Sequence, residues 1–368
     1  MSNWRIPLSD LDYGPEEQAA VARVLNSKWL SMGPEVEAFE REFAEFTGAK
    51  RAFGVANGTA ALHLAFLAAG LGPGDEIIQP AINFVATANM SVAVGATPVF
   101  ADILDLAEPT VAPAEIERLI TPRTKAVVVM HYGGYLCRMT EILEICRQRN
   151  LIVIEDACHA VGAAGLLGDI SCFSFFSNKN LATGEGGMLV TNRDDIAQKV
   201  RSLRSHGMTT LTWDRHKGHA SSYDVTLHGY NYRLDELRAA LGRAQLKKLT
   251  RNNARRRELV LAYRAALANS GEWIVPFASD AGDSAYHLMT VVPQDTGTRT
   301  AAVRRLNEHG IQTSLHYPCI PGFEAFKRFA SGDCKKSFDY ASRTITLPLF
   351  PTMSQEQVVE ICALLSDA

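Results

Sequence analysis

Apolar residues first recur at helical spacing at Val36, Phe39, Phe43 and Phe46, which predicts a helix over 34–47, with another over 15–27 before it. A short apolar run at 52–55 then meets Asn57-Gly58-Thr59. The stretch AALHLAFLAAG that follows reads as a helix stopped by Gly70, Gly72 and Gly74. Further short apolar runs predict strands at 76–79, 97–101, 125–130, 151–155, 171–176 and 187–191. Several of the gaps between them, such as 138–149, are long enough for a crossover helix. Strands alternating with helices predict an α/β chain with a mostly parallel, seven-stranded sheet in a large domain.

Residues 194–204 are again helical in pattern, while 206–230, rich in Gly, His, Thr and Ser, read as a long loop. Long loops in compact domains tend to be functional. A basic helix over about 233–269 leads into a smaller α/β domain, with helices at 299–309 and 354–366 and strands near 286–292 and 344–347. A chain of 368 residues is long for one core, and the expected division is 1–245 and 246–368.

Composition narrows the function by exclusion. The formal net charge of −3 offers no basic footprint for nucleic acid and no polybasic tract for a membrane surface. The opening MSNWRIPLSD lacks a signal-type apolar core, and no apolar run reaches membrane-span length. Seven scattered cysteines without a C-x-x-C pair argue against a disulfide framework or a structural zinc, and point to reduced thiols in the cytoplasm. His206, His216, His219 and His228 are irregularly spaced with no carboxylate or cysteine cluster beside them, so no metal is expected.

Candidate chemistry gathers in four places. In SCFSFFSNKNLATGEGG, Lys179 follows a strand bearing Phe173, Phe175 and Phe176; a desolvated lysine there has an amine available for a carbonyl, whereas an ordinary one would reach solvent. The strand in IVIEDACHAVGA ends in Glu155-Asp156, where an acid can keep a pyridine nitrogen protonated or simply cap the next helix. His159 follows, able to pack against a flat ring or to serve structure alone. Asn57-Gly58-Thr59 opens a helix whose free N–H groups suit a phosphate, or is an ordinary capped start. Ser174 adds a hydroxyl, and Phe84 is either a stacking surface or a core residue. All lie on loops after strands of one predicted sheet, where open α/β sheets bind ligands.

With these residues in place, the chain resembles the DegT/StrS-type sugar aminotransferases, a branch of the aspartate-aminotransferase fold (fold type I). The resemblance runs through SMGPEVEAFEREFAEFTGAK, NGTAALHLA, GPGDEIIQPAINFVATAN, IEDACHAVGA, FSFFSNKNLATGEGGMLVTN, GYNYRLDELRAALGRAQLKKL and GIQTSLHYP. It implies a pyridoxal 5'-phosphate (PLP) enzyme that passes through the pyridoxamine form (PMP). Lys179 would carry the cofactor and shuttle the proton, and Asp156 would pair with the ring nitrogen. His159 and Phe84 would lie against the ring, and Gly58, Thr59 and Ser174 would hold the phosphate. Asn231 of GYNYR would reach the phosphate of a partner subunit, making a homodimer with shared active sites.

The same resemblance implies L-glutamate as amino donor and a nucleotide-linked keto-sugar as acceptor, for amino-sugar biosynthesis. Relatives with histidine in place of the lysine dehydrate sugars instead, so Lys179 favours transamination. Two departures, the short step from GAAG to Gly168-Asp169 and the block CIPGFEAF after HYP, fall where the acceptor is expected. A keto-inositol or a keto-sugar without a nucleotide is therefore an alternative acceptor. A non-catalytic PLP-binding regulator is a further alternative, and a dinucleotide-dependent oxidoreductase is disfavoured by the lack of G-x-G-x-x-G after the first strand.

Overall fold

The computed structural model describes residues 4–163, 165–210, 213, 218, 222–268, 270–280, 284–330 and 333–366. Seven strands form one sheet: β1 Arg51–Val55, β2 Glu76–Pro80, β3 Thr97–Ala101, β4 Thr124–Met130, β5 Ile152–Asp156, β6 Ile170–Ser174 and β7 Gly187–Thr191. Their order across the sheet is β1-β7-β6-β5-β4-β2-β3. Every pair is parallel except those made by β7, which runs antiparallel to both β1 and β6. No helix bridges β6 and β7. The chain turns back on itself there without a crossover, and an antiparallel return is the geometry such a link permits. That link carries Lys179.

Helices cover both faces. They are α1 Pro15–Ser27, α2 Pro34–Thr47, α3 Gly58–Ala68, α4 Ala86–Ala93, α5 Pro113–Leu119, α6 Met139–Gln148, α7 Asp194–Leu203 and α8 Glu236–Leu267. Val36, Phe39 and Phe43 of α2 are buried as the pattern predicts and meet Phe173 and Phe175, while Phe46 stays partly exposed. Strands buried on two faces read as continuous apolar runs, as β4 does in Ala126–Met130. The predicted strand 171–176 is shorter than its apolar run: it ends at Ser174, and Phe176 beyond it is exposed. Helices α4 and α5 have no strong amphipathic signature in sequence.

A second sheet, in the order β10-β9-β8, is antiparallel and built from β8 Trp273–Ile274, β9 Met289–Pro293 and β10 Ile345–Leu347. Helices α9 Thr298–Glu308, α10 Lys335–Arg343 and α11 Gln355–Ser366 accompany it. One apolar cluster joins the two sheets, with Ile82, Phe100 and Met130 on one side and Val291, Tyr340 and Leu347 on the other. Residue 245 lies inside α8, which packs against α1 and α2 near its start and against α11 further on.

Candidate active site

The carboxyl ends of β2, β4, β5 and β6 open on one edge of the sheet, and α3 begins at that edge after β1. A cavity of about 390 Å³ lies there, lined by Met130, Asp156 and Ser174 at the ends of β4, β5 and β6, by the start of α3 and by Asn83 and Phe84 in the segment after β2. Lys179, Asp156, His159, Ser174, Gly58, Thr59 and Phe84 all face it.

Lys179 is half-buried, and among the described residues its amine has no hydrogen-bond or ion-pair partner. Burial holds its pKa below the usual lysine range, although Cys158 and Asp156 nearby work the other way. An amine of that kind is neutral for a larger share of the time and so more nucleophilic.

Asp156 and Glu155 are adjacent on β5 and point to opposite faces, as strand geometry demands. Glu155 is fully buried. It accepts from the backbone N–H groups of Leu167 and Gly168 at 2.8 Å, from Ser171 Oγ at 2.6 Å, and pairs with His131 Nε2 at 2.8 Å. It secures the turn before β6. Asp156 faces the cavity instead. Its Oδ2 accepts from Asn83 Nδ2 at 3.2 Å and Thr87 Oγ1 at 3.3 Å, and its Oδ1 from the Cys158 N–H at 3.3 Å. Only 3% exposed, it is a buried carboxylate held in one orientation by three donors.

At the start of α3, Asn57 is the cap: its Oδ1 accepts the Ala60 N–H at 2.8 Å. The N–H groups of Gly58 and Thr59, ahead of that bond, have no acceptor among the described residues and lie at the cavity. Such orphan donors at a helix N-terminus are a ready anion site. A Cβ on Gly58 would sit 2.9 Å from Ser174 Cβ, so only glycine lets Ser174 come this close.

His159 Nδ1 faces the Gly133 N–H at 3.3 Å and must therefore present a lone pair. The ring hydrogen is then on Nε2, donated to the Tyr317 hydroxyl at 2.8 Å. Burial and the charge of nearby Lys179 keep this imidazole well below the usual histidine range, hence neutral. Phe84 is 55% exposed at the mouth, its ring centroid 6.0 Å from that of Tyr317, and so is not a core residue.

Asn231 is not brought to this cavity. It is exposed, in an extended segment bridged to Ser205, between Tyr230 and Tyr232, whose rings stack 5.1 Å apart. Of the loop histidines, His206 and His228 are exposed, and His216 and His219 lie outside the described residues. Among the described residues no group of three or more His, Cys, Asp or Glu side chains is placed to hold a metal.

Four cavity residues, Asn83, Asn178, His316 and Tyr317, escape sequence reasoning, as does Thr87, buried behind Asp156. Tyr317 meets His159 across 158 residues of chain, a contact no local spacing reveals. Asn83 had a usable signal, being the polar residue between two apolar ones just past a strand end.

The cavity combines an amine able to add to a carbonyl, a fixed carboxylate able to keep a ring nitrogen protonated, an anion-binding helix start and an aromatic ring at its mouth. The model of the DegT/DnrJ/EryC1/StrS aminotransferase family matches residues 12–366. The chain is 41% identical over 379 aligned residues to the spore coat polysaccharide biosynthesis protein SpsC of Bacillus subtilis (strain 168), spanning 99% of this chain and 97% of that one. Its structure is similar to that of Helicobacter pylori PseC, an aminotransferase involved in the biosynthesis of pseudoaminic acid, with TM-score 0.91, 29% identity and 99% and 98% of the two chains covered. It is also similar to NtdA from Bacillus subtilis with bound cofactor PMP, with TM-score 0.86, 28% identity and 96% and 82% coverage.

Proposed function

The chain belongs to the DegT/DnrJ/EryC1/StrS aminotransferase family, and on that premise we propose that it uses pyridoxal phosphate to move an amino group from L-glutamate to a nucleotide-linked keto-sugar. The observation that carries this reading is that Lys179, Asp156 and the open start of α3 line one cavity. The donor set suits the cofactor. Unpaired N–H groups at Gly58 and Thr59, with the Ser174 hydroxyl, would take the phosphate; Asp156 would take the pyridine nitrogen; Phe84 and His159 would lie against the ring.

When bound, the cofactor supplies an aldehyde that captures amino groups and a protonated ring that draws electrons from the adjoining carbon. The residues do the rest. Asp156, oriented by Asn83 and Thr87, holds the proton on the ring nitrogen. Lys179 would hold the cofactor covalently and, once its amine is free, would take the proton from the substrate Cα and return it to the cofactor carbon on the other side of the nitrogen they share. His159, neutral and donating to Tyr317, adds no charge that would compete with Asp156.

The sugar acceptor rests on the names of relatives, SpsC in polysaccharide biosynthesis and PseC in pseudoaminic acid biosynthesis. Asn231, exposed between the stacked Tyr230 and Tyr232, is our candidate for reaching a partner's phosphate in a homodimer. The division we propose, 1–245 and 246–368, falls within α8, which both parts share. No helix among the described residues is long and apolar enough to cross a membrane, and all seven cysteines are unpaired. Free thiols support a reducing compartment, and we place the enzyme in the cytoplasm.

The test of the substrate is to incubate the PLP-loaded enzyme with L-glutamate and a panel of nucleotide keto-sugars, free keto-sugars and keto-inositols, scoring 2-oxoglutarate. Turnover confined to a nucleotide sugar supports the reading; turnover confined to a keto-inositol refutes it.

A further inference from the structure

Behind the loop that carries Lys179 lies a second, much smaller cavity of about 20 Å³, bordered by Ser9, Asn178, His287, His316, Thr346 and Leu349. Two of these lining residues each carry a buried polar atom without a partner, His287 Nε2 and Asn178 Oδ1. Buried polar atoms are rarely left so, and each such case calls for an explanation.

The hydrogen-bond network fixes what these atoms can accept. The Asn180 amide nitrogen donates to Asn253 Oδ1 at 2.8 Å and to the Ala285 carbonyl at 2.6 Å. Its Oδ1 is therefore the atom facing His287 Nδ1 at 2.9 Å, and it accepts the ring N–H. That leaves His287 Nε2 with a lone pair. Asn178 Oδ1 is likewise an acceptor. Two acceptors cannot satisfy each other, but a molecule with two hydrogens to give satisfies both. The volume admits one water, which needs roughly 10–15 Å³, and no carboxylate or phosphate. Burial, with the charges of Lys179 and Arg256 close by, holds the His287 pKa well below the usual range, so the ring remains an acceptor.

We propose that a single buried water donates to His287 Nε2 and Asn178 Oδ1, so that one imidazole clamps both chain neighbours of Lys179. Asn180 is bound directly at 2.9 Å, and Asn178 through the water. The residue is itself anchored, because the backbone N–H of His287 donates to the Gly133 carbonyl at 2.8 Å and the residue is only 5% exposed. Lys179 stands in a link with no helix or strand of its own. The clamp supplies the order that secondary structure does not, and His287 is a positioning residue for the amine. Its catalytic consequence rests on the function proposed above; the water site does not.

The first test is a crystal structure of the protein as isolated, without added cofactor, at a resolution that shows ordered waters. A single peak within about 3.2 Å of both atoms supports the clamp. An empty cavity, a protein group bonded to His287 Nε2, or an anomalous peak after a rubidium soak overturns it.

The second test is a double-mutant cycle with Asn178→Leu, which removes the second acceptor, and His287→Asn, which keeps a donor near Nδ1 but loses Nε2. Each is expected to lower kcat about tenfold with KM nearly unchanged, and the double variant is expected to lose little more than either alone. Losses that multiply, or a change in melting temperature with kcat untouched, overturn it. Failure to bind pyridoxal phosphate would sink the proposed function and leave the water peak where it is.

Discussion

Asn83 Nδ2 lies 3.2 Å from Asp156 Oδ2, tying the turn after β2 to the end of β5. The same nitrogen reaches Thr87 Oγ1 at 3.0 Å, and Thr87 reaches Asp156 in turn, so the three form a closed triangle. A hydrogen bond to a charged group contributes about 1.5–3 kcal/mol, equivalent to roughly 10–100-fold in rate if Asp156 must be held for catalysis. Asn83→Leu is expected to lower kcat by about that factor while the protein stays folded. Steady-state kinetics beside a thermal melt checks this, and unchanged kcat would remove Asn83 from the account.

Asp156→Asn keeps the shape of the side chain and removes its charge. The variant is expected to bind pyridoxal phosphate with similar stoichiometry and to lose at least about 100-fold in rate, the lower end of what a positioned acid or base contributes. Equilibrium dialysis and single-turnover measurements separate the two effects. Near-normal turnover would refute the role given to this residue.

Gly58→Ala tests the anion site. The added Cβ would press to 2.9 Å against Ser174 Cβ and 3.1 Å against Cys158 Sγ, forcing the start of α3 away from β6. Affinity for pyridoxal phosphate is expected to fall about tenfold or more, the scale of one lost hydrogen bond to a charged group. Inorganic phosphate should protect the wild type from that cofactor's binding better than it protects the variant.

Three neutral histidines near Lys179 give stability a pH signature. Burial and the charge of Lys179 bring His316 down to about 4, and His159 and His287 are also well below their ordinary range. In the unfolded chain each binds its proton near 6.5. Between about 6.5 and about 4 the unfolded state therefore holds more protons, and stability falls as pH falls through that window. Each group costs up to about 1.4 kcal/mol per pH unit there. Urea unfolding at pH 7 and pH 5 should show the loss, and His316→Gln should make it shallower. A flat profile would contradict the neutral assignment.

Much of the frame was legible because its signals are local. Helix α2 is read from its periodicity and strand β4 from its continuous apolar run, and the same local signals put Asp156 at the end of β5 and Lys179 just past β6. What stayed hidden is long-range. Phe84 reads in sequence as core or as a stacking ring, and its exposure at the cavity mouth past β2, which removes it from the core, is set by the fold and not by local pattern. Asn178 and His287 are 109 positions apart in the chain and share a cavity that no periodicity encodes. The strand predicted at 171–176 runs past the observed β6 for a related reason: Phe176 lines the cavity and does not belong to the sheet.

The covalent role of Lys179 is tested most directly by reducing the pyridoxal-phosphate-treated protein with borohydride, digesting it and locating the added mass. The pyridoxyl group is predicted on Lys179 alone, and Lys179→Ala should retain none. A label on a different lysine, or equal labelling of the Lys179→Ala variant, would contradict the account.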